Sequence, residues 1–159
     1  MPVGLRVNIR NFADLPKAVN ATMAKVQRGG TRRAMNKGLT PVLRAARANA
    51  PVDKGHLKKS LGKRVRTYRG NGIVWGGVGP RAAYRVKRHG KRTRTGRQSY
   101  IQPSKYAHLV ESGTVRTRGR RFLGAAFDSK EREFTRIFGE NLGRDIEREA
   151  AAAARRRAA

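Results

Sequence analysis

Apolar and polar residues alternate from Val3 to Ile9, where Val3, Leu5, Val7 and Ile9 are separated by Gly4, Arg6 and Asn8. A period of two predicts a half-buried strand. The period then lengthens. Leu15, Val19, Met23 and Val26 recur every three or four residues, the spacing of one helix face. Asp14 is placed to cap that helix, and Pro16 is tolerated in its first turn. Gly29-Gly30 ends or bends it. A second helical stripe uses Met35, Leu39, Val42, Leu43, Ala46 and Ala50, with Pro41 inside it. Proline there predicts either a kink or a restart with Thr40 as cap.

Pro51-Val52-Asp53-Lys54-Gly55 stops the second helix: Asp53 suits an Asx-type turn and Gly55 supplies permissive backbone angles. Leu57 to Tyr68 and Ile73 to Val78 read as two strands joined through Arg69-Gly70-Asn71-Gly72, because an Asn-Gly pair is a strong hairpin signal. Trp75, the single tryptophan, falls in the second strand and reads as core or sheet-face packing rather than a base-stacking platform. A third strand over Ala82–Val86 leads into a basic stretch, which Tyr100-Ile101 close. Tyr106 to Val110 is a short apolar run ending at Glu111 and a Gly113-Thr114 turn. Leu123, Phe127, Phe134, Phe138, Leu142 and Ile146 then mark one face of a long helix, read as core. The alanines and arginines of residues 150–159 extend that helix into solvent or fray.

These elements make one α+β domain over residues 1–159: a small antiparallel sheet packed with N-terminal helices and a long C-terminal helix. Residues 81–105, rich in charge and poor in apolar residues, read as a solvated basic loop insertion.

Charge sharpens the picture. Thirty-eight lysines and arginines face ten acids, a formal net charge of +28. Self-repulsion on that scale favours a polyanionic or acidic partner, nucleic acid first among them. Arg85, Lys87, Arg88, Lys91, Arg92, Arg94 and Arg97 are the residues best placed to meet it. Seven of the ten acids lie after residue 127, so the first two thirds of the chain form a basic body. Glu111 is the only acid between Asp53 and Asp128, and its isolation predicts a specific basic partner rather than a free surface charge.

Catalytic chemistry finds little footing. There is no cysteine, which excludes disulfides, zinc–thiolate sites and a thiol nucleophile. His56, His89 and His108 lack companions at ligand spacing. Asp53, His56 and Ser60 are close in sequence, but a tight turn running into a strand does not supply triad geometry. The clustered acids of a two-metal nuclease are missing as well. The expectation is a protein that is not an enzyme and needs no cofactor. The chain also shows no apolar run of membrane-spanning length and no signal-peptide core, which predicts synthesis in a cytoplasm and no membrane partner.

Three ordered stretches carry a resemblance: Ala50-Pro51-Val52-Asp53-Lys54-Gly55-His56-Leu57-Lys58-Lys59-Ser60-Leu61, Tyr106-Ala107-His108-Leu109-Val110-Glu111-Ser112-Gly113-Thr114, and Arg121-Phe122-Leu123-Gly124-Ala125-Ala126-Phe127. Together they resemble the tail-completion (neck, head–tail connector) family of tailed bacteriophages, to which the lambda Z-type minor tail protein is similar. Lys54 stands where that family commonly has threonine, and Arg121 and Gly124 stand where it has prolines.

The resemblance implies a virion neck or tail subunit that assembles into a homo-oligomeric ring, a hexamer or dodecamer. Genomic DNA would cross its lumen through non-specific contacts. A head-closure or adaptor protein would lie on one side, and a tail terminator or tail tube protein on the other. It also gives structural roles to Pro51, Asp53, Gly55, Leu57 and Ser60 in the first turn, and to Tyr106, Ala107, Glu111, Gly113 and Thr114 in the second stretch. Phe122, Leu123 and Phe127 would take such roles at the start of the last helix. The competing reading, from net charge alone, is a stand-alone basic nucleic-acid-binding protein that touches phosphates without reading bases.

Overall fold

The computed structural model describes residues 29–68 and 73–158. The strand expected at Val3–Ile9, the helix expected through Leu15–Val26 and the Asn-Gly turn lie outside the described residues.

The first described helix, α1, spans Thr31–Asn49 and runs unbroken through Pro41. Gly29-Gly30 wind directly into its first turn. Proline removes the backbone donor that the Lys37 carbonyl would take and crowds that turn; one residue earlier, the carbonyl of Asn36 accepts side-chain donors. The Thr40 hydroxyl donates to it at 3.3 Å and the Lys63 ammonium at 2.6 Å, while Lys63 also donates to Thr40 Oγ1 at 2.8 Å. These bonds tie Lys63 to the middle of α1 beside the proline.

Gly55, at φ 70°, reverses the chain after α1, and His56–Ser60 then closes a single helical turn, α2. The strand expected from Leu57 onward begins only at Leu61. Leu57 and Leu61 are both buried and four residues apart, the helical repeat, and the Ser60 hydroxyl donates to the Leu57 carbonyl at 2.7 Å. Strand β1 (Leu61–Thr67) pairs antiparallel with β2 (Val74–Pro80), in register from Leu61 opposite Pro80 to Thr67 opposite Val74. One face of this ribbon lies on α1. A Cβ built on Gly76 would come within 2.6 Å of Met35 and 2.9 Å of Leu39, so the missing side chain sets the helix–sheet spacing. Trp75 lies on the outer face, half exposed, with its ring over Gly77.

Residues 81–105 contain an antiparallel hairpin, β3 (Val86–Arg92) and β4 (Gln98–Ile101), where a solvated loop was expected. A 3-10 turn at Pro103–Lys105 leads to helix α3 (Ala107–Ser112), and a two-residue ribbon follows, β5 (Gly113–Thr114) with β6 (Thr117–Arg118). The chain ends in α4, Phe122–Ala158, which continues through the alanine–arginine tail.

Helices α1 and α4 pack antiparallel: Arg33 meets Asp145 at 3.1 Å, Lys37 meets Asn141 at 2.8 Å, and Gly38 admits the Phe134 ring. The core joins Ala46, Ala50, Leu57, Leu61, Ala107, Phe122 and Ala126. Four of these seven are alanines, so Phe122, 1% exposed, supplies much of the buried volume. The stripe expected on the long helix is only partly core. Phe127 and Ile146 remain 44% and 47% exposed, and the aromatic residues stack along the helix from Phe127 to Phe134 to Phe138.

Candidate functional site

Beyond its foot, where Val86, Ser99 and Ile101 are half-buried, the β3–β4 hairpin has no buried face. From Lys87 to Gln98 every residue is exposed, so side chains on both sides of the ribbon meet solvent. It is held by local devices instead. Gly90 and Gly96 take φ of 69° and 77°, a region open to glycine. Thr93 N–H donates to the Arg97 carbonyl at 2.7 Å to close the tip, and the Gln98 side-chain amide donates to the Arg88 carbonyl at 2.9 Å across an irregular register.

Lys87, Arg88, Lys91 and Arg92 lie on β3, Arg94 and Arg97 in the connecting turn, and Arg85 just before β3. None of the seven pairs with an acid among the described residues. The five ion pairs found there all involve α4.

A cleft of about 880 Å³ opens at the foot of the hairpin. The Pro51–Leu57 turn, the end of β4, α3 and the β5–β6 ribbon form its walls. Tyr106, Ile101 and Val110 are half-buried along it and Leu109 is exposed, while Lys54, Arg88, Lys105, Arg118 and Arg120 contribute cationic side chains against the single acid Asp53. Burial pushes the Tyr106 phenol above its ordinary range, and the charges of Asp53 and then Tyr84 add to this, so the hydroxyl keeps its proton. The exposed Asp53 carboxylate makes no side-chain hydrogen bond among the described residues; the expected Asx interaction is absent there, and Gly55 alone supplies the turn's geometry. Among the described residues, no group of three or more His, Asp or Glu side chains could hold a metal ion.

One wall is fixed by Glu111. Its carboxylate accepts the backbone N–H of Leu123 at 2.9 Å and of Gly124 at 2.8 Å, which caps the N-terminus of α4 from another helix. The specific donor expected for this lone acid is therefore a helix end, not a basic side chain. Directly beside it the backbone of Gly113, at φ 88°, crosses that of Gly119. A Cβ on either would lie 2.5 Å from the other strand, so neither position admits a side chain. Arg121 follows at φ 43°, an angle closed to a proline ring. Its departure from proline thus matches the path the chain takes into α4.

The family model described as "Bacteriophage HK97-gp10, putative tail-component" matches residues 13–113, 101 of the 159 in the chain. The chain belongs to the HK97-gp10-like family. No curated protein and no solved structure matches it.

Within this HK97-gp10-like chain the matched span includes the Pro51–Leu57 turn, the cationic hairpin and α3, and it ends at the glycine crossing. Pro51, Asp53, Gly55, Leu57, Tyr106, Thr114 and Arg88 all line the cleft. Ser60 and Ala107 are buried behind it, Phe122 is in the core, and Leu123 offers its N–H to Glu111. Phe127 lies away from it, on an exposed part of α4. Sequence reasoning assigned no role to Arg118 and Arg120, which form the far wall of the cleft, or to Arg81. The Arg81 guanidinium donates to the Lys59 and Ser60 carbonyls at the end of α2 and sits over the Tyr84 ring, an anchoring role that an arginine in a basic stretch does not announce.

Proposed function

We propose that this tail-component-family protein is a neck or tail-completion subunit, a ring-forming link between the head-proximal connector and the tail. In this reading its cationic hairpin faces DNA passing through the lumen. The single observation that supports the reading is the hairpin itself: a ribbon whose six cations, with Arg85 just before it, have no ion-pair partner among the described residues, exposed from Lys87 to Gln98 and kept in shape by its own hydrogen bonds. Such a surface neutralises phosphates without reading base edges, and a duplex can slide past it. The ring's neighbours would be a head-closure or adaptor protein and a tail terminator or tail tube protein.

The test combines native mass by light scattering with duplex binding across a salt series. The chain should form a closed oligomer without DNA, and binding should weaken steeply as salt rises. Substituting Arg88, Arg92 and Arg94 by glutamine should flatten that dependence, by roughly 0.9 in log–log slope for each phosphate contact removed. An unchanged slope would place the contact elsewhere. A monomer that binds duplex just as steeply would instead support the stand-alone nucleic-acid-binding reading.

A further inference from the structure

We infer that the cleft at the foot of the hairpin receives the acidic, apolar face of α4 from a second copy of this chain. The inference rests on the ring reading above and assigns the surfaces that would close it.

Steps of three and four residues place Phe127, Asp128, Glu131, Leu142, Ile146 and Glu149 on one face of α4. Between Phe127 and Glu149 no lysine or arginine falls within that third of the helix circumference, although 24% of this chain's residues are cationic. Phe127 and Ile146 are exposed, Glu131 and Glu149 have no ion-pair partner among the described residues, and Asp128 has only a 3.8 Å contact with Arg121. Of the helix's other acids, Glu133 pairs with Lys130 and Glu140 with Arg136 on other sides, while Asp145, about five turns from Phe127 at the border of this face, is buried against Arg33 of α1 and Arg148. Residues 128–149 carry seven acids against five cations, a net-negative stretch in a chain of +28.

The cleft has the opposite character. Exposed Leu109, Tyr100 and Val52 lie among Lys54, Arg88, Lys105, Arg118 and Arg120, with Asp53 the only acid. The two surfaces share no residue, and each offers apolar area bordered by charge of the sign the other lacks. Different, complementary patches on one chain give a head-to-tail contact, which closes into a ring when the rotation allows. The same pairing explains how so basic a chain can self-associate at all, because each copy offers its neighbour the acids that its own cleft lacks.

The experiment is a charge swap read by light scattering at about 0.15 M salt, where charges are screened beyond roughly 8 Å. One variant carries Arg118→Glu and Arg120→Glu, the other Glu131→Lys and Glu149→Lys. All four side chains are outside the core, and circular dichroism confirms that each variant is folded. Each variant alone should lose self-association by tenfold or more. An equimolar mixture should recover it, because an acidic cleft then meets a basic helix and a basic cleft an acidic helix, in alternation. Variants that assemble like the parent overturn the inference and leave the ring reading standing, with DNA or a different protein as the occupant of the cleft. Loss in both variants without recovery on mixing also overturns it. A parent chain that is monomeric at every concentration overturns both readings.

Discussion

The α1–α4 pair and the β3–β4 hairpin are both densely charged, yet they use charge in opposite ways. On α4, Lys130 and Arg136 sit three or four residues from an acid that takes them up, and Arg33 of α1 reaches across to Asp145. The backbone between them buries an apolar face. In the hairpin no acid answers any cation and no face is buried. The helix pair settles part of its electrostatics internally, through Glu133, Glu140 and Asp145, whereas the ribbon leaves all of its cations without an acid among the described residues. Net charge is thus a property of regions before it is a property of the chain.

If stability resides on the helix side of that contrast, its loss should follow burial and not charge. Phe122→Ala removes the largest side chain of an alanine-rich core and should cost about 3–5 kcal/mol, measured by urea unfolding. A loss under 1 kcal/mol would mean that the core is held elsewhere. Glu111→Ala deletes the cap of α4 and leaves two N–H groups without their acceptor, an expected loss of about 1–2 kcal/mol. Glu111→Gln should recover part of it through its remaining carbonyl oxygen. The smallest effect belongs to the hairpin: glutamine at Arg88, Arg92 and Arg94 should move stability by no more than about 0.5 kcal/mol while flattening the salt dependence of duplex binding. A large destabilisation there would erase the contrast, since it would show the hairpin contributing to the fold.

How much of this the sequence revealed follows from what periodicity can encode. The helices at α1 and α4 were legible because an apolar stripe at helical spacing demands a partner, and the β1–β2 hairpin was legible from Asn71-Gly72. The β3–β4 hairpin was not, because a ribbon polar on both faces has no alternation to read. Its determinants are Gly90, Gly96 and the Gln98 amide, none distinctive in a glycine-rich basic stretch. Leu57 misled because an apolar residue four positions before Leu61 fits a helical turn as well as the start of a strand. Phe127 and Ile146 misled in the opposite sense, since the stripe they complete extends beyond the face that α1 covers. The cleft was invisible for a simpler reason: residues 51–57, 88, 100–110 and 114–120 meet only once the chain is folded, and Glu111 reveals its role only when α4 begins beside it.

The hairpin's independence from the body makes it a gauge whose length can vary separately from the fold. Each residue added to both β3 and β4 would lengthen the ribbon by about 3.4 Å, and residues 87–98 have no core contact to disturb. A longer or shorter ribbon would leave the α1–α4 frame as it is and change only how far the hairpin's cations reach.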